Sequence, residues 1–287
     1  MLFSIQESVT GKTRDRSVFV SASAIVAIVV ILSSLIGPFV LRFHNGCTYE
    51  SQDVSRLLAG PSWLHPLGTD ILGRDLLVRL LYGGRISLAV GLVATLIATA
   101  IGTVYGAVAG YAGSRTDAVM MRIVDVIYSL PYMILVVILL ALFERSLVLL
   151  FMAIGSVSWL TMARIVRGQV LSLKNEVFVE AARATGATTV EILNRHLIPN
   201  VMGIVIAYSA LSLPAMVLQE AFLSFLGLGV QPPVPSWGIL VSEGVQAMAV
   251  QPMLVIAPAV LMAITLFSLN SFGESLLDRF DPLRKKE

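Results

Sequence analysis

A single cysteine, Cys47, stands in 287 residues, so no internal disulfide forms and the cysteine-rich metal frameworks are excluded. Charge is scarce too: 13% of residues are Asp, Glu, Lys or Arg, about half the share of an ordinary soluble domain. The formal net charge is only +2, which points to no polyanionic partner such as nucleic acid. Catalytic signatures are missing as well. The lone Gly11-Lys12-Thr13 has Gln6 where a phosphate-binding loop needs its first glycine. His-Glu-x-x-His and Gly-x-Ser-x-Gly do not occur. His44, His65 and His196 all lie outside the apolar runs, and Gly155-Ser156 has no positioned histidine beside it in sequence. The chain is expected to be no enzyme, to hold no metal and to bind no cofactor of its own.

What fills the sequence instead is apolar. Hydrophobic residues make up 56% and mean hydropathy is +0.86. Since about 20 apolar residues cross a bilayer, six spans are expected: Ser17–Leu41, Ile86–Tyr111, Val119–Phe143, Ser146–Ala163, Pro199–Phe225 and Ala249–Gly273. The first is too long for a signal-peptide core of about 7–15 residues and has no clear cleavage site after it. Residues 226–248 are also poor in charge, but Gly227, Gly229, Pro232, Pro233 and Pro235 make a loop there, with a short helix from Trp237. With the N-terminus inside, 14 Lys and Arg fall on the cytoplasmic side and 6 outside, so both termini are expected in the cytoplasm. The fold class is all-α, a polytopic membrane protein.

One polar stretch between spans, FVEAARATGATTVEILNRHLIPN at 178–200, has a helical grammar of its own. Phe178 to Thr185 favours helix, and Gly186 sits where a left-handed residue ends it. Thr188 with Glu191 reads as a capping box for a second helix, and Pro199 suits the opening of the next apolar run. Here the chain resembles the membrane subunits of ABC importers, whose signature is Glu-Ala-Ala, three residues, Gly, nine residues, then Ile-x-Leu-Pro. Glu180, Ala181, Ala182, Gly186 and Pro199 match it; His196 stands in place of Ile, and Ile198 in place of Leu. The resemblance implies a cytoplasmic coupling loop, 164–198, docked on an ATPase subunit, with these five residues carrying the contact.

Further motifs narrow the likeness to the C-type subunits of dipeptide, oligopeptide and nickel permeases, over residues 65–284. They are HPLGTD at 65–70, GRD at 73–75, MRIVDVIYSLPYM at 121–133 and the stretch SFLGLGVQPPVPSWG at 224–238. The organisation implied is an N-terminal tail, first span and start of an outer loop in 1–64, a permease core in 65–278 and a tail in 279–287. Gly68, Thr69, Asp70, Gly73, Arg74 and Asp75 form an outer motif with either a structural or a binding-protein docking role. Thr69 or Asp70 would cap an interfacial helix running to about Tyr82, with Asp75 and Arg79 on one polar face.

Arg122 and Asp125, three apart, are expected to pair where span three enters the membrane, and Pro131 to kink that span. Glu220, near the outer end of span five, is a candidate pathway carboxylate. Gly102, Gly106 and Gly110 line one helical face for close packing, either within the subunit or between subunits. Implied partners are a homologous B-type permease subunit, two cytoplasmic ABC ATPases that hold ATP and Mg, an extracytoplasmic solute-binding protein and membrane lipid. The cargo expected is di- or oligopeptide, with nickel or a nickel chelate as the alternative; an ATP-independent secondary transporter is the alternative from another class.

Overall fold

The computed structural model describes residues 2–143 and 146–280. Arg145 and the C-terminal tail from 281 onward lie outside them. Regular structure among the described residues is helical: α1 (Leu2–Asn45) is followed by a long loop, and α2 (Leu76–Tyr111), α3 (Ser114–Ser129), α4 (Tyr132–Leu142) and α5 (Leu147–Leu173) are joined by short connections. Next come α6 (Val177–Ala184), α7 (Thr189–Glu191), α8 (Ile198–Phe225), α9 (Trp237–Gln246) and α10 (Met253–Phe280).

Five helical stretches are long and apolar enough to cross a membrane: Ala22–Phe43, Leu76–Tyr111, Val148–Leu173, Thr189–Phe225 and Met253–Phe280. A sixth is formed by α3 and α4 together, bent by 84°. The expected kink of the third span at Pro131 is a sharp break between two helices. Leu130 is extended at ψ 137°, as a residue before proline tends to be, and Pro131 opens α4. Apolar side chains such as Ile25, Val29 and Ile36 on α1 stay exposed, as a lipid-facing surface requires.

The centre of the bundle is the contact of α2 with α5. A Cβ added to Gly102 would lie 2.6 Å from Met162 Cβ and 2.8 Å from the Trp159 carbonyl oxygen. At Gly106 it would fall on the Ala163 carbonyl, and at Gly110 it would be 3.0 Å from that of Arg167. The four-residue glycine spacing thus serves packing within this chain, since only a residue without Cβ lets these backbones meet.

Span two begins earlier than its apolar run. Asp75, not Thr69 or Asp70, is the cap: its Oδ1 accepts from Val78 N at 2.8 Å and α2 runs unbroken from Leu76. The separate interfacial helix is absent because Gly83 and Gly84 pack against Ser236 and Trp237 of the α9 segment, which continues the helix into the bundle. The short helix expected from Trp237 is present as α9. Its fully buried indole donates to the Leu80 carbonyl at 3.1 Å, and its backbone N–H donates to Ser87 Oγ at 3.2 Å.

Candidate functional site

At one end of the bundle, residues 177–199 form a projecting knuckle. Helix α6 is amphipathic: Val179 and Ala182 are buried, whereas Val177, Glu180 and Ala181 face out. Gly186 stops it at φ +82°, with its N–H on the Arg183 carbonyl and the Ala187 N–H on the Ala182 carbonyl, so the orphan carbonyls of the helix end are met. The capping box at Thr188 is complete. Its hydroxyl accepts from Glu191 N at 3.3 Å, and Glu191 Oε2 accepts from Thr188 N at 2.9 Å.

Beyond α7 the chain does not break at Pro199. Residues Ile192–Leu197 are π-helical, with the Ile198 N–H bonded five residues back to Leu193. Pro199 supplies no N–H and would crowd the carbonyl four residues earlier in a regular α-helix; the wider turn removes that conflict. Asn200 Nδ2 donates to the His196 carbonyl at 2.6 Å, replacing a bond the helix lacks there. His196 lies between these elements, its ring centroid 6.5 Å from that of Phe178. The hollow between α6 and the π-helical stretch measures about 650 Å³ and is lined by Ala181, Gly186, Glu191, Arg195 and His196.

Midway along the bundle, a groove of about 430 Å³ opens where α3 and α4 part. Tyr128 stands at the bend, Ser158 and Thr161 come from α5, and Ser212, Met216 and Gln219 from α8. Ser158 and Ser212 donate back to the carbonyls of Ile154 and Tyr208, each at 2.8 Å, which leaves their lone pairs free. Gln219 Oε1 has no partner. Among the described residues no charged side chain lines the groove; its surface offers hydrogen bonds without selecting a charge. Sequence pattern did not single these residues out, because isolated Ser, Thr and Gln in apolar helices are common on any face.

The bend is tied down by Arg164, whose Nη2 donates to Asp125 Oδ1 at 2.8 Å while its Cζ sits 4.4 Å from the Tyr128 ring centroid. Asp125 therefore pairs with Arg164 on α5, not with Arg122, because α5 lies across α3 and presents its arginine to that carboxylate. Arg167 pairs with Asp117 one turn further along. Glu220 is likewise no groove residue. It is fully buried, with Ser224 Oγ donating to it at 2.6 Å and the Ser87 and Ser236 hydroxyls adjoining it. The chain folds back after Phe225 and lays the start of α9 over it, which seals it from water.

At the opposite end the outer motif is a buried knot. Asp70, Arg74, Asp75 and Arg79 are each below 5% exposed. Asp70 Oδ2 accepts from Arg74 Nε and Arg79 Nη1, both at 2.6 Å, and Glu243 of α9 accepts from the same two arginines. Of Asp75 and Arg79, expected on one polar face, Arg79 joins this exchange while Asp75 accepts from His65 Nδ1 at 2.7 Å. Arg56 only donates, so His65 Nε2, 3.1 Å away, accepts and the ring proton sits on Nδ1. Thr69 donates to the Arg56 carbonyl and accepts from Ala59 N. Gly68 and Gly73 take φ of +81° and +72°, where the chain turns against Ala59 and Asp53. These six residues fold the loop and present little surface.

An all-helical bundle with an exposed box-capped knuckle at one end and an uncharged groove between broken and unbroken spans defines a membrane transport component. Residues 102–286 match the family described as binding-protein-dependent transport system inner membrane component, and the chain belongs to it. It is 48% identical over 263 residues to the oligopeptide transport system permease protein OppC of Escherichia coli strain K12, covering 91% of this chain and 86% of that one. It is similar also to OppC of Haemophilus influenzae, at 47% over 91% and 83% of the two chains. The dipeptide transport system permease protein DppC of Bacillus subtilis is 40% identical over 91% and 81%.

Proposed function

We propose that the chain is the C-type permease subunit of an ATP-driven importer for di- and oligopeptides in a bacterial cytoplasmic membrane. The observation that carries this is the knuckle: Glu180, Ala181 and Gly186 stand exposed on α6 and its turn, directly continuous with a membrane-crossing rod. Peptide cargo is supported by what the similar permeases are named for, and by an uncharged groove suited to main-chain amides.

In this reading both termini and the knuckle are cytoplasmic. Two ABC ATPases, which hold ATP and Mg, grip this knuckle and that of a homologous B-type subunit. Their closure moves α6, and the rod through α8 carries the movement past Ser212 and Gln219. A solute-binding protein delivers the peptide at the other end, where Trp63 is 94% exposed and Val54 77%. The groove is this subunit's share of the pathway.

Uptake of labelled short peptides in cells lacking only this chain tests the reading, with nickel uptake measured in parallel. Peptide uptake is lost, and wild-type chain restores it whereas Gly186→Val does not, although both insert in the membrane. Loss of nickel uptake alone would overturn the cargo, and restoration by Gly186→Val would overturn the coupling.

A further inference from the structure

Where α1 leaves the membrane, two arginines line one cleft, and neither forms a salt bridge among the described residues. A cleft of about 100 Å³ is lined by Pro38, Phe39 and Arg42 of α1, by Val78, Tyr82 and Arg85 of α2, and by Cys47 to Tyr49 of the loop between them. The Arg85 guanidinium lies 5.9 Å from both the Phe39 and the Tyr82 ring centroids, and Tyr82 stacks on Tyr49 at 4.1 Å. These rings hold the cation in place but do not neutralise it. Neither Arg42 nor Arg85 has an ion-pair partner among the described residues. The other arginines at this end, Arg56, Arg74 and Arg79, each have a carboxylate. Beside the Glu50 carboxylate the Tyr49 pKa is raised, so the tyrosine stays neutral and one carboxylate stands at the rim.

Two guanidiniums free of ion pairs among the described residues, on one cleft, make an anion site, and a guanidinium's fork matches phosphate oxygens. The position selects the source of the anion. The apolar span of α1 ends at Phe43, so Arg42 stands at headgroup level. Below it Leu35, Ile36 and Phe39 form an exposed apolar strip leading away from the cleft. We infer that this cleft binds one anionic glycerophospholipid, its phosphate between Arg42 and Arg85 and an acyl chain along α1. The lipid would fasten α1, the most lipid-exposed span, to α2.

The test is native mass spectrometry of the full-length chain, purified with the subunits that accompany it, offered phosphatidylglycerol or phosphatidylcholine with the same acyl chains. One phosphatidylglycerol should be retained per copy, and the Arg42→Gln/Arg85→Gln variant should retain about tenfold less, as loss of charge-assisted contacts implies. Arg42→Lys/Arg85→Lys keeps the charge and should recover most of the retention, separating charge from misfolding. Equal retention of both lipids, or undiminished retention in the glutamine variant, overturns the site. Displacement of the lipid by millimolar inorganic phosphate would make it a free-anion site and overturn the lipid assignment.

Discussion

Arg79 and Glu243 stand 164 residues apart in sequence, yet Arg79 Nη1 lies 2.5 Å from Glu243 Oε2. The contact closes a four-membered set with Asp70 and Arg74 that welds the loop before α2 to α9. Removing one member of a buried pair strands the opposite charge. Asp70→Asn is therefore expected to destabilise the protein by about 3 kcal/mol, and Glu243→Gln by less, since its side chain is 23% exposed. Thermal unfolding in detergent together with protease sensitivity of residues 50–75 measures this. An unchanged midpoint in Asp70→Asn would mean that the knot does not hold the loop.

Gly186 separates backbone strain from contact. Nothing lies within 4 Å of a Cβ built there, so only its φ of +82° resists substitution. A β-branched residue in that region is disfavoured by roughly 1–2 kcal/mol, whereas asparagine tolerates it. Gly186→Asn should keep most peptide uptake and Gly186→Val should lose it, with equal amounts of both in the membrane. Equal uptake by the two would show that the turn geometry is unimportant to coupling.

Gly106→Val presses two methyl groups into the α5 backbone and should abolish a folded product. Gly168→Ala, with open space around its position, should be silent. Size-exclusion profiles and thermal midpoints of the two read this directly.

For the groove, Gln219→Leu removes an amide oxygen that has no hydrogen-bond partner among the described residues. Stability should hold or rise, while peptide uptake falls several-fold. A parallel fall in assembled protein would reassign Gln219 to packing.

Cys47 gives a pH readout. Burial first, and then the Asp75 charge, push its thiol above the ordinary value. A raised pKa means less thiolate at neutral pH, so maleimide labelling in membranes should rise with pH on a curve displaced to higher pH than that of a free thiol. A curve matching free cysteine would show that the loop opens in solution.

Much of this was legible in advance, and the failures have physical causes. The knuckle could be read because Gly186, Thr188 and Glu191 act locally, through turn and cap bonds within four residues. The α2–α5 contact was half legible: the spacing of Gly102, Gly106 and Gly110 marks a close approach but not its partner. Sequence sets Asp75 and Asp125 beside arginines three or four residues away and Glu220 on the pathway, whereas folding gives them His65, Arg164 and a cluster of serines. Such partners are fixed by how helices cross, and one chain's sequence carries no record of crossing. The groove was invisible for the same reason, since it exists only where α3 breaks away from α4.

The π-helical stretch before Pro199 has a mechanical consequence. Because the wider turn accommodates Pro199 within the helix, Thr189–Phe225 is one 37-residue helical stretch, about 55 Å long at 1.5 Å per residue, with Pro214 inside it. Its far end is pinned through Glu220 and Ser224, beside Ser236 at the start of α9. A rotation imposed at Thr188 would meet one point of compliance, at Pro214, before it reached α9 and, through it, the Arg79–Glu243 contact.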